Sequence, residues 1–383
     1  MISLGTLCAV LLCLMFSINT EAAAQDETES QEEQTEKMLE NMEMQQMQEA
    51  VNELLGENTF HVQEFLKELM KGEQGVSKKQ AVLFIKEQLL SALVMDRQTF
   101  VQVLLLVLVA ALFSNFTEVF GNNQTAEVSF YIVYMLLSAI LLHSFQMISQ
   151  GISEKLQDLM VFMKALMPSY FLAVTAASGS ATAMVFYEMV MVVIYLIQVV
   201  LLRLVLPGIH GYVLLEMINY LHKEDFLSHM AELMQTVLGW TLKTCTGITI
   251  GMQLVQNMIS PAVDSLKRNV VGKTAAAIPG IGNAINGVTE TALATAVLIR
   301  NSLGVMGILL LLLLGLPPVI KLGFTALIYK LLAALVQPVS DKRLVGCLST
   351  IGEGCGLLLK VLLTAEFLFM ITIAVLTVSF VGN

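Results

Sequence analysis

The chain has 383 residues, 56% of them hydrophobic and only 14% charged, with a mean hydropathy of +0.74. A soluble domain carries roughly 25% charged residues, so this composition excludes an ordinary soluble enzyme and defines an integral membrane protein. The net charge of -10 is concentrated: residues 25–98 hold 16 acidic and 7 basic side chains, whereas residues 99–383 hold 14 of each. No basic cluster is present to neutralise a run of phosphates, which argues against nucleic acid as a partner.

The chain opens as a secretory leader. Leu7–Phe16 form a short apolar core and Ala22-Ala23-Ala24 a small-residue cleavage pattern, so a signal peptide over residues 1–24 is expected, with Gln25 as the mature start. The positive residues that normally precede such a core are missing, which leaves an uncleaved short anchor as the other reading.

Residues 25–98 follow as a small acidic ectodomain. To about residue 45 they are rich in Glu, Gln and Thr and lack aromatic residues, which suits a solvated spacer. From Met38 the apolar positions recur at helical spacing through Met42, Met47, Val51, Leu54, Phe65 and Leu69, up to the breakers Gly72 and Gly75. A second amphipathic helix is predicted from the cap Ser77 through Val82, Ile85, Leu89 and Leu93. These helices are expected to bury their stripes against each other, with a partner or the membrane surface as the alternative cover.

Residues 99–383 read as a polytopic transmembrane domain, making the fold class all-α. About 20 apolar residues cross a bilayer core, and segments of that length are predicted at Thr99–Phe120, Val128–Ile148 and Met184–Leu206. Between the last two lies a proline-led, small-residue stretch from Met167 to Ala183, expected to form a hairpin. Pro207 closes the long segment, and Pro207–Leu221 is a short helix containing His210 and Glu216. Further spans run from Ala292 to Leu316, from Pro317-Pro318 to Val336 and from Leu357 to Val381, for about six clear spans in all.

Residues 155–256 and 265–380 share an order of parts: a basic approach, a proline-led hairpin, a long helix, a proline-started helix and a last helix containing a lysine. Pro168 aligns with Pro279, and Gly239 and Lys243 with Gly356 and Lys360. An internal repeat and the chance self-similarity of apolar sequence both fit. Paired interrupted segments in two halves point towards a translocation pathway.

The second proline-led stretch, Ala275–Glu290, contains Pro279, Gly280, Gly282, Asn283, Asn286, Gly287 and one charge, Glu290. Proline and glycine disfavour a regular helix here. Non-helical backbone at membrane depth needs protein or water to satisfy its amides, so these residues are candidates for close helix packing or a pore lining. Ionisable residues at depth are costly and mark function; those here are Glu188, Lys243, Arg300, Lys321, Lys330 and Glu366. Arg300 and Glu366 lie on separate spans and could pair. Lys321 and Lys360 suit snorkelling to the interface.

The block A-I-P-G-I-G-N-A-I-N-G-V-T-E, followed by A-T-A-V-L-I-R-N at Ala294–Asn301, resembles the signature region of the stage III sporulation protein AE family. The order of leader, acidic ectodomain and polytopic region also resembles it. The resemblance implies a non-enzymatic subunit of a transenvelope channel or secretion-like complex of endospore-forming bacteria. It implies as partners the other membrane and ring-forming stage III proteins of the same operon and a forespore stage II protein across the intermembrane space. The location implied is the mother-cell membrane around the forespore, with the ectodomain extracytoplasmic. A self-contained secondary transporter is the alternative from the residues alone.

Catalytic signatures are absent. No H-E-x-x-H, G-x-x-x-x-G-K-[ST] or G-x-S-x-G occurs, and no cofactor or metal is expected. Cys245, Cys347 and Cys355 lack metal-ligand spacing and are expected to be buried free thiols.

Overall fold

The computed structural model describes residues 44–55, 61–70, 101, 105, 123–178, 181–221, 227–275, 282–338 and 340–378. Among them the protein is helical, with short turns and no strand. The expected signal peptide, the helix from Ser77, the span Thr99–Phe120 apart from Val101 and Leu105, Pro279 and Gly280 lie outside the described residues.

The acidic N-terminal region contributes two helices, α1 (Met44–Leu55) and α2 (Val62–Met70), where the periodicity alone predicts one continuous element. Gly56 follows α1 directly. The α2 terminus is capped from α1: the Val62 amide donates to Gln48 Oε1 at 2.8 Å, satisfying one of the donors that a helix start leaves open. Their stripe of Met44, Met47, Val51, Val62 and Leu66 is buried in the main core. The expectation that the two helices cover mainly each other is corrected: α1 also packs on α3 (Asn123–Ser178), and α2 on α7 (Gly282–Val336). The reason is area, because two short helices present more apolar surface than either can hide on the other.

Helices α3 and α7 also correct the expected breaks at proline. Pro168 lies inside α3, and Pro317 and Pro318 lie inside α7. An internal proline forfeits one ladder bond and costs roughly 3 kcal/mol. Around Pro168 that cost is offset by Leu166, Met167, Tyr170 and Ala173, all buried against neighbouring helices. At 56 and 55 residues, α3 and α7 are each about 80 Å long at 1.5 Å per residue, against a hydrocarbon core of about 30 Å. Each is far longer than one crossing requires.

The predicted boundary at Pro207 falls where the helix geometry changes without breaking. Helix α4 (Ala181–Val200) passes through a π turn, Leu201–Val205, into α5 (Leu206–Leu221). The Leu206 amide bonds back five residues to Leu201. The ladder is thus already widened where Pro207 brings no donor. The chain continues as α6 (Ser228–Ala275) and ends in α8 (Lys342–Val378).

Helix α8 is the hub of the bundle, touching α3, α4, α5, α6 and α7. Of its most apolar window 61% is buried, against 28% for that of α3, whose Ile132, Met135, Leu136 and Met147 face outward as a lipid-facing band would. Among the described residues, four helical stretches are long and apolar enough to cross a membrane: Phe130–Ala176, Met189–Leu221, Ala294–Val336 and Lys342–Ala374.

Candidate functional site: the seam between α7 and α8

Helix α7 lays Gly304, Gly307 and Gly315 along α8. Steps of three and eight residues keep the three glycines on one face of a helix. Gly304 meets Thr377, Gly307 meets Ile373 and also Leu166 of α3, Gly315 meets Glu366, and Gly323 meets Leu359. The α8 partner moves back along its helix as the α7 residue moves forward, so the pair is antiparallel. A Cβ on Gly307 would lie 2.8 Å from Leu166 Cδ2 and 3.2 Å from Ile373 Cδ1, and one on Gly315 would overlap the Glu366 carboxyl. Glycine is therefore what lets two long helices approach this closely.

Two of the predicted charges lie in this seam. Arg300 is fully buried; its Nε and Nη2 donate to Asn301 Oδ1 at 3.3 and 3.0 Å, while Nη1 has no partner. Glu366 is 8% exposed, and its Oε1 has no partner. The pair that Arg300 and Glu366 could form is not made. The Glu366 carboxyl meets α7 at Gly315, fifteen positions after Arg300, which is about 22 Å along the axis at 1.5 Å per residue. Near the Arg300 end, the Tyr170 hydroxyl and Thr377 Oγ1 share a hydrogen bond of 2.7 Å, and Thr377 abuts Gly304, one turn beyond Arg300.

A second polar layer joins α3, α5 and α8. His210 hydrogen-bonds Ser149 at 2.7 Å and stacks edge-on against Phe145 at 5.3 Å. The Tyr212 hydroxyl donates to Glu353 Oε2 at 2.7 Å. The Tyr134 hydroxyl donates to the Met217 carbonyl and accepts the Cys347 thiol at 2.8 Å. Tyr212 and Glu353 were not among the residues predicted from sequence. The signal that could have found Glu353 is I-G-E-G-C-G at Ile351–Gly356, where Gly354 lies against Val213 and Phe145 and marks a tight helix crossing.

The remaining predicted residues are dispersed. Gly282, Asn283, Asn286, Gly287 and Glu290 stand in the first turns of α7, which corrects the expectation of irregular backbone over that part of the block: α7 begins at Gly282. Glycine and asparagine are tolerated at a helix start, where side chains and water can serve open amides. Glu188 lies on α4. The side-chain surroundings of these residues lie outside the described set. Lys243 is exposed on α6, Lys321 half-buried on α7, Lys330 exposed on α7 with its stem against Gly352, and Lys360 exposed on α8. Cys245, Cys347 and Cys355 are buried free thiols, as expected. Among the described residues no group of three or more His, Cys, Asp or Glu side chains could hold a metal ion.

Long apolar helices around a glycine-lined seam, with two short N-terminal helices docked on them, define an all-helical, multi-span membrane protein. The chain belongs to the stage III sporulation protein AE family, whose family model matches residues 60–379. It is similar to the Stage III sporulation protein AE of Bacillus subtilis (strain 168), with 22% identity over 364 residues covering 94% of this chain and 91% of the relative. No solved structure matches it. The protein therefore has a role in sporulation, exercised at a membrane.

Proposed function

We propose that the protein is a non-enzymatic subunit of a transenvelope channel linking mother cell and forespore, seated in the mother-cell membrane with its ectodomain in the intermembrane space. The observation that carries this reading is the docking of α1 and α2 onto α3 and α7. It couples the acidic ectodomain to the helix that begins with the glycine–asparagine block, as a platform for ring-forming stage III subunits on one side and a forespore stage II protein beyond them. The absence of nucleotide and nucleophile motifs agrees with energy being coupled by other subunits.

Cysteine accessibility in intact membranes tests the conduit. Single cysteines replace Asn283, Asn286 and Glu290 in a background lacking Cys245, Cys347 and Cys355, with Gln45, exposed on α1, as the positive control. Labelling by a small water-soluble thiol reagent is expected at the α7 positions. Silence at all three, with Gln45→Cys reacting, would make the chain a scaffold with no lining role.

A secondary transporter is the second reading, favoured by the buried, incompletely partnered Arg300 and Glu366. Transport chemistry predicts that neutralising Arg300, Glu366 or Glu188 abolishes function while assembly persists. A structural role predicts that assembly is lost as well.

A further inference from the structure

We propose that Glu366 and the proline-bearing turn of α7 form a site for one monovalent cation, a proton or a sodium ion, within the membrane-spanning bundle. Three observations converge. The Glu366 carboxyl is buried, its Oε1 has no hydrogen-bond partner, and no ion pair to it exists among the described residues. It seats against Gly315, close to the middle of the span Ala294–Val336, in a notch that any Cβ would fill. Pro317 and Pro318 stand just beyond, inside the same helix. Having no N–H, they cannot donate to the carbonyls four residues earlier, so Leu313 and Leu314, which flank Gly315 on its N-terminal side, lose their ladder donors.

A lone carboxylate beside carbonyls stripped of their donors is an oxygen-rich place short of positive charge. In an apolar bundle such a carboxylate must be neutralised, either by a covalently held proton donated to a neighbouring oxygen or by a small cation ligated by these oxygens. Among the described residues no alternative counter-charge faces it. Helix α7 carries no charged residue between Arg300 and Lys321. Lys321 is half-buried six positions past Gly315, and Lys360 on α8, Lys164 on α3, Arg203 beside α4 and Lys243 on α6 are exposed. Backbone carbonyls freed from the helix ladder beside an acidic side chain near mid-membrane offer oxygen ligands of the kind that hold sodium ions and protons in membrane bundles. The site does not rest on the channel reading and holds equally for a transporter.

The test is carbodiimide labelling of the full-length protein in membranes. Dicyclohexylcarbodiimide partitions into the bilayer and adds whole to a protonated carboxyl: the O–H adds across a C=N bond and the acyl group then shifts to nitrogen, with no leaving group. Mass spectrometry of the peptide containing Glu366 reads the adduct from about pH 6 to about pH 9, in sodium chloride, potassium chloride or choline chloride at one ionic strength. An adduct that falls about tenfold with rising pH and ignores sodium identifies a proton site; protection specific to sodium identifies a sodium site. No adduct at Glu366, or one indifferent to both pH and sodium, would overturn the proposal. Pro317→Ala and Pro318→Ala restore donors to the Leu313 and Leu314 carbonyls. They are expected to move the half-labelling pH or the half-protecting sodium concentration by about tenfold in proton or sodium activity. An unmoved midpoint in a variant with unchanged thermal unfolding would also refute the site.

Discussion

Gly354→Ala puts the closeness of the α3–α5–α8 crossing to a quantitative test. A methyl group there would lie 2.7 Å from Val213 Cγ2 and 2.8 and 3.1 Å from two ring carbons of Phe145, where carbon atoms rest at about 3.5–4.0 Å. Val213 and Phe145 are 0% and 1% exposed and belong to different helices, so neither has open space to retreat into. Such overpacking costs about 1–3 kcal/mol, while replacing a helical glycine by alanine returns up to about 1 kcal/mol of propensity. Gly247→Ala on α6 isolates the second effect, because nothing lies within 4 Å of its added Cβ. The propensity gains cancel between the two variants, so Gly354→Ala should be less stable than Gly247→Ala by the packing cost alone. At roughly 2–4 °C per kcal/mol, the difference in Tm is a few degrees or more. The buried thiols Cys245, Cys347 and Cys355 supply the assay: a thiol-reactive fluorophore lights up as detergent-purified protein unfolds on heating. A Gly354→Ala variant as stable as Gly247→Ala would refute the close crossing.

Tyr212→Phe removes the donor to Glu353 Oε2 and should destabilise the bundle by about 1–3 kcal/mol in the same assay, whereas Tyr134→Phe should also free the Cys347 thiol to react faster below the transition. Asn301→Ala takes away the acceptor of Arg300 Nε and Nη2 and should lower Tm and protein level; Arg300→Met, which removes the charge at similar volume, should be neutral or stabilising. Equal loss in both would show that the charge itself holds the fold. Gln48→Ala uncaps α2 at a cost of about 1 kcal/mol and should open the α1–α2 connection to limited proteolysis before the membrane region is cut.

Residues that must be apolar or charged for local reasons were readable directly. The membrane class follows from long uncharged segments such as Leu303–Leu316, which no water-exposed chain could carry, and the buried state of Cys347 and Cys355 follows from their apolar neighbours. The amphipathic stripe of Met47, Val51 and Leu66 was visible as periodicity, but its cover was not, because a stripe specifies that it needs a partner and not which one.

What the sequence by itself determined is thus helix, membrane and family: each depends on composition or on residues adjacent in the chain, including the block around Pro279 to Glu290. Tertiary structure alone decided whether a proline ends a helix and which distant residues meet. Pro168, Pro317 and Pro318 do not break their helices, since packing outweighs the lost ladder bond. Arg300 and Glu366 do not meet although their charges are opposite, because the antiparallel register of α7 on α8 is set by glycines that admit a close approach and places the two about four turns apart. Tyr212 finds Glu353 for the same reason: their α5 and α8 backbones cross where Gly354 leaves room. Charge can reward a contact that packing allows, but the register is chosen by shape.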